Sequence, residues 1–287
     1  MKNKPGFFRF FSRKEDVWVV LGLILFDIGV IALPFSRLFV GMDPDKAEEL
    51  EYILHGVLIS AGCWWMILRM GLGTLGGTRF WNLRKPVLLL IPVIYPGILL
   101  AGNYAVKGPV TPDYVYVTLG FLACYFKALS EEMAFRGLLQ SYLLRKYHGR
   151  LSFFKILMLG AIPFSLMHLL NIGKMDWVSV SNQVILAFSY GVFSGALLLL
   201  IRNIWVLGLV HGMVNFSSAF PYLVKPEQVP VSVEVPSFSE GLPSILLFTL
   251  LFSGLLGIGY LLIKSLRVEQ LVVVAPVAPG ENGSVGA

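Results

Sequence analysis

Two adjacent glutamates, Glu131 and Glu132, are followed by Arg136 in a chain otherwise built to dissolve in lipid. Downstream, His168 and His211 also fall in apolar segments, and Asn215 stands four residues after the second. Ionisable groups in hydrocarbon are costly, so they usually face a polar interior and have a function there. A carboxylate, two imidazoles and an amide are the groups needed to activate a water molecule and to stabilise the oxyanion its attack creates.

Helix geometry divides the labour between the glutamates. Successive residues point about 100° apart, so both cannot serve one point. Glu132 and Arg136 stand at i and i+4 with the acid first, the better orientation for a helix ion pair, which makes Glu132 a structural anchor. Glu131 projects onto a neighbouring face as the candidate general base. Lys127, one turn before it, pairs with Glu131 unless its ammonium snorkels to the interface. The competing reading is one solvated charged stripe on a helix end. His168 closes the run Phe164-Ser165-Leu166-Met167-His168, with Phe164 one turn back to wall its ring; a lone intramembrane histidine also serves as an interhelical hydrogen-bond partner. His211 and Asn215 share a helix face, and two such donors to a developing oxyanion are worth roughly 2.7–4 kcal/mol each in acyl transfer. Gly208 and Gly212 leave room beside them for another backbone or a substrate, and the competing reading is polar glue between helices.

The three groups occur in order: Glu131-Glu132-x-x-x-Arg136, Phe164-x-x-x-His168 and His211-x-x-x-Asn215. Together they resemble the motif set of the type II CAAX prenyl endopeptidase family, whose superfamily includes bacteriocin-processing and self-immunity proteins. The resemblance covers roughly residues 115 to 220. It implies an all-α membrane bundle of about eight helices around a polar cavity open to the cytoplasm, and an intramembrane endopeptidase. By the same resemblance Glu131 is the general base, His168 helps hold and activate the water, His211 and Asn215 form the oxyanion hole, and Glu132, Arg136 and Phe164 support the site. The resemblance further implies a substrate that is a C-terminal peptide, prenylated or not, or a leader peptide, and a mechanism that requires no metal.

Competing functions stay open on the residues alone. Glu131, His168 and His211 could ligate zinc, although there is no HExxH and no obvious carboxylate beside either histidine. A catalytically silent membrane protein that binds a peptide or confers immunity would carry the same motifs. A transporter would use Asp27, Pro34, Arg69 and Pro163 along a pathway, but no inverted repeat accompanies them.

Composition fixes the elements that must position these groups. The chain is 56% hydrophobic and 14% charged, with a mean hydropathy of +0.75, which is the balance of a polytopic membrane protein. Eight apolar stretches approach the ~20 residues needed to cross a bilayer core: Val17–Phe39, Tyr52–Leu75, Pro86–Tyr104, Asp113–Leu129, Phe153–Leu170, Val178–Ile201, Ile204–Leu223 and Leu242–Lys264. Basic clusters fall at the N-terminus and in alternate loops, and acidic residues in the others, which places both termini in the cytoplasm. The +6 net charge is spread over loops rather than gathered in one patch, which argues against a nucleic-acid partner. Cys63 and Cys124 both fall in spans, so no disulfide framework is available.

Residues 1–16 read as a basic, aromatic interfacial segment, 17–267 as one transmembrane catalytic domain and 268–287 as a disordered cytoplasmic tail. The proline-rich stretch Pro221–Ser244 is expected to be extended. Asp113–Tyr147 is expected as one long helix or a closely joined pair. His168 lies fifteen residues past Phe153, about 22 Å along a helix and far from a Glu131 near the cytoplasmic face. A helical hairpin over Arg136–Lys155 that stands above the membrane, with the fifth span entering near Met158, would remove that conflict.

Overall fold

Long apolar runs opened by capping residues decide the elements, and every one of them is helical. The computed structural model describes residues 14–107, 113–224 and 237–264, and no strand occurs among them. The α-helices in order are α1 (Lys14–Ile31), α2 (Pro44–Arg69), α3 (Leu90–Lys107), α4 (Tyr114–Glu132), α5 (Ser141–Tyr147), α6 (Phe153–Met167), α7 (Trp177–Ile201), α8 (Ile204–Val224) and α9 (Phe238–Lys264). Three of them start at an aspartate whose carboxylate accepts from free backbone N–H groups of the first turn: Asp43 for α2, Asp113 for α4 and Asp176 for α7. Such caps satisfy donors that no helix can satisfy internally.

Five helices are long and apolar enough to cross a membrane: α2, α6 with the 3-10 turn that extends it, α7, α8 and α9. The apolar runs of α1 and α3 are shorter, and α4 carries Lys127, Glu131 and Glu132 in its last turns. Several expected bounds move. The first stretch breaks before Pro34 and resumes as a 3-10 turn over Phe35–Phe39. Asp43 and Pro44 start α2 more than two turns before Tyr52, so the acidic residues assigned to a loop ride on a helix. The expectation of an extended Pro221–Ser244 is corrected at both ends, because Pro221 lies inside α8 and Pro243 inside α9. In an apolar bundle an uncoiled segment would leave more backbone groups unpaired than a proline does. Residues 225–236, the interfacial segment before Lys14 and the tail 268–287 lie outside the described residues.

The segment expected as one long helix is continuous from Tyr114 to Tyr147. Between α4 and α5 it winds as a π-helix, Met133–Gln140, beginning immediately after the glutamate pair. π-turns of this kind re-aim side chains and recur at functional sites. This rod lies parallel to α2. At one end Lys46 Nζ of α2 lies 2.7 Å from Asp113 Oδ2, and at the other Arg145 Nη1 donates to the carbonyl of Met70. The Lys46 ammonium and the Tyr116 N–H hold the Asp113 carboxyl below the usual carboxylate range, so the first clamp opens only in acid below that range.

The helical hairpin is present, α5 and α6 being its arms, but it does not stand clear of the bundle. A Cβ on Gly137 would come 2.7 Å from the Ile67 side chain and 2.9 Å from that of Ile204. A Cβ on Gly195 of α7 would lie 2.2 Å from Gln140 Oε1. The depth conflict is resolved within the hairpin instead. Glu132 lies fifteen residues before Tyr147 and His168 fifteen after Phe153, so the two reach similar depth on opposite arms.

The turn between α7 and α8 is tied to residues 74–84. Arg202 adopts a left-handed conformation, φ 57°. Asn203 Nδ2 donates to the Phe80 carbonyl at 2.7 Å while its Oδ1 caps Val206 N at 3.0 Å. Trp205 Nε1 donates to the Thr78 carbonyl at 3.0 Å, and Arg84 N to the Ile201 carbonyl at 2.8 Å. Asn203→Ala removes a cap and a buried partner together, and is expected to lower stability by about 1–2 kcal/mol, read as a fall in the thermal midpoint in detergent.

Candidate active site

Two glycines seat α8 against α4. A Cβ on Gly208 would stand 2.9 Å from the Leu129 side chain, and one on Gly212 would stand 2.8 Å from Tyr125 Cα. The close approach noted in the sequence is therefore to a backbone, and it sets His211 against the end of α4. Gly212→Val is expected to push α8 away, costing about 1–3 kcal/mol and lengthening the His211–Glu132 contact. A thermal midpoint together with the activity of the surviving folded fraction checks this.

His211 lies between the two glutamates. Its Nδ1 is 2.9 Å from Glu132 Oε1, and its Nε2 is 3.7 Å from Glu131 Oε2. Glu132 is fully buried, and its second oxygen lies 3.3 Å from Nε of Arg136. The Arg136 Nε–H donates to Ser194 Oγ of α7 at 2.9 Å, and its guanidinium stands 4.0 Å over the Phe164 ring of α6. Gly191 of α7 lets Ala161 of α6 come close, since a Cβ there would stand 2.9 Å from the Ala161 side chain, and the same point lies 3.4 Å from Arg136 Nη2. With Glu132 and Arg136 both buried, a solvated charged stripe is ruled out. Lys127 is exposed and acts on Glu49 of α2.

Glu132 is thus more than an anchor for Arg136, because it also orients an imidazole. A carboxylate can only accept, so Nδ1 of His211 carries the proton and Nε2 faces Glu131. Glu131, half-buried, directs its carboxylate to that nitrogen. His168 ends α6. Its Nδ1 lies 3.1 Å from the Phe164 carbonyl, which again fixes the proton on Nδ1 and leaves a lone pair on Nε2 of the neutral ring. His168 reaches the cluster through Phe164, whose ring meets it edge-on at 5.2 Å and meets His211 at 6.4 Å. Asn215 stands one turn beyond His211 on α8, half-buried.

The structure therefore brings Glu131, Glu132, Arg136, Phe164 and His211 into one contiguous group. It adds Ser194 and Gly191 from α7, which the sequence reading did not assign to the site, and brings Tyr190 to it. Tyr190 packs on the His211 ring at 4.7 Å between centroids. A signal existed: Gly191-x-x-x-Gly195 is a small-residue spacing of the kind that lets helices approach closely.

Residues 113–217 match the family model described as Rce1-like, type II CAAX prenyl endopeptidase Rce1-like. The match spans less than half of the chain. It runs from the cap of α4 to just past Asn215 on α8, so it contains every residue of the cluster from α4, α6, α7 and α8. No curated protein and no solved structure matches the chain. Five helices long and apolar enough to cross a membrane make this an integral membrane protein, and its 113–217 segment is similar to the CAAX-type endopeptidases.

Proposed function

We propose that this protein cleaves a C-terminal or leader peptide within the membrane by a metal-free mechanism in which Glu131 activates water. The observation that carries this reading is His211 held between two carboxylates. Glu131 and Glu132 bring two negative charges and Arg136 one positive charge. A doubly protonated His211 balances them, and unbalanced charge is costly in so dry a setting. In that form Nε2–H is a donor aimed into the site, with the Asn215 amide one turn along the same face. Water held between Glu131 and His168 Nε2 would lose a proton to Glu131 as it attacks the scissile carbonyl. The oxyanion would face His211 Nε2–H and the Asn215 amide. Glu131 would then return the proton to the leaving nitrogen.

Charge segregation supports a cytoplasm-facing site with both termini cytoplasmic. The Lys46–Asp113 clamp gathers the acidic loops at one end, and Arg145 on Met70 gathers the basic ones at the other. The test is cleavage of prenylated and unprenylated peptide libraries by purified protein in detergent. His211→Ala should lower kcat about 100-fold or more at nearly unchanged KM. Preference for the prenylated set would name the substrate class. An unaltered rate in His211→Ala would remove the oxyanion role.

A further inference from the structure

Tyr190 is buried on α7, and its hydroxyl has no hydrogen-bond partner among the described residues. An unpaired buried hydroxyl is costly, and native proteins rarely keep one without a use. Its surroundings are polar. The charged groups acting on it are Glu132, then Arg136, then Glu131, and Oε2 of Glu132 and both Nη atoms of Arg136 are likewise buried without a hydrogen-bond partner. Three groups with unpaired buried polar atoms in one dry cluster, a donor hydroxyl among them and a carboxylate oxygen held only by the ion pair with Arg136 Nε, point to one missing link. The ring is equally placed, lying 4.7 Å from the His211 ring at an interplanar angle of 48°.

We propose that Tyr190 is a positioning residue of this site, its hydroxyl donating to Oε2 of Glu132, directly or through one water, and its ring holding His211 in line between Glu132 and Glu131. This rests on the reading of His211 as the oxyanion donor. Glu132 then receives His211 Nδ1–H on one oxygen and the Arg136–Tyr190 pair on the other. Each extra donor to Glu132 draws off carboxylate charge, weakening its hold on the Nδ1 proton and leaving His211 Nε2–H the more acidic donor. Every group facing His211 enters this balance: Glu131 and Glu132 from α4, Arg136 from the π-helix, Tyr190 from α7 and the neutral Phe164 from α6.

Tyr190→Phe keeps the ring and deletes the hydroxyl. It should lower the thermal midpoint modestly, as the loss of one buried hydrogen bond does, lower kcat about threefold or more at constant KM, and move the alkaline limb of the pH–rate profile upward, because Glu132 then holds the imidazolium more strongly. Phe193→Leu, on a ring 6.3 Å from Tyr190, disturbs packing without touching the hydroxyl and should leave that limb in place. A second readout needs no activity. The chain has four histidines, so the ¹⁵N spectrum of histidine-labelled protein, with His211 assigned by its loss in His211→Gln, follows the ring directly, and Tyr190→Phe should raise its titration midpoint. A ¹⁵N titration identical in wild type and Tyr190→Phe, or an equal shift in Phe193→Leu, would overturn the proposal. An inactive wild type with a shifted ¹⁵N titration would refute the peptidase reading while leaving the Tyr190–Glu132 link standing.

Discussion

Arg136→Ala should lose about 3–5 kcal/mol of stability, the cost of leaving a buried carboxylate without its counter-charge. Arg136 is 2% exposed and Glu132 0%, so solvent cannot replace the guanidinium. The same truncation removes the bond to Ser194 and the contact over Phe164, and it opens space beside Gly191. Because single domains are stable by only about 5–15 kcal/mol, much of the protein should be unfolded at growth temperature. Arg136→Lys should recover only part of the loss, since an ammonium cannot serve Glu132, Ser194 and the ring in one plane. The double variant Glu132→Gln with Arg136→Met should be less damaged than Arg136→Ala alone, because it leaves no unpaired charge. Thermal midpoints of the detergent-solubilised variants measure all three. Equal midpoints for wild type and Arg136→Ala would show that the pair stabilises nothing.

Glu131→Gln should reduce cleavage about 10³-fold or more, with the fold intact. Among the described residues its one ion-pair approach is the 3.7 Å to His211 Nε2 of α8, too long for a strong tie between helices, and its side chain is partly exposed. The amide keeps shape and polarity but cannot take a proton from water, and general-base catalysis of this kind contributes about 10²–10⁴-fold. The two neighbouring glutamates should therefore behave differently. Glu131→Gln should change kcat and leave the thermal midpoint alone, whereas Glu132→Gln should change both. Single-turnover rates set against midpoints separate the two roles, and a parallel loss of stability in Glu131→Gln would contradict the division.

The sequence made the reacting groups legible because charged and polar residues stand out in apolar helices. Glu131, Glu132, Arg136, His168, His211 and Asn215 are costly where they stand, and their i, i+4 spacings already define shared faces. What it hid is apolar or small. Gly191, Ser194 and Gly195 of α7 cradle Arg136 and Gln140, yet by composition they belong to an ordinary lipid-soluble helix. The π-helix after Glu132 leaves no compositional trace, since its extra residue per turn is decided by packing against Ile67, Ile204 and Gln140's neighbours. The hairpin was inferred from a depth argument, but that argument put Glu131 near the membrane face. Burial of Leu138, Leu139, Leu143 and Leu144 extends the rod well past the glutamates and lowers them to the level of His168. Proline misled at both ends of the 221–244 stretch, where bundle packing outweighs the lost hydrogen bond.

The central claim is that Glu131, and no metal, activates the water. The most direct test is the cleavage rate of purified wild type on its best peptide, measured with a strong chelator, then after zinc is added back, beside Glu131→Gln under both conditions. The account predicts one wild-type rate throughout and none above background for Glu131→Gln. Cleavage abolished by the chelator and restored by zinc would contradict it.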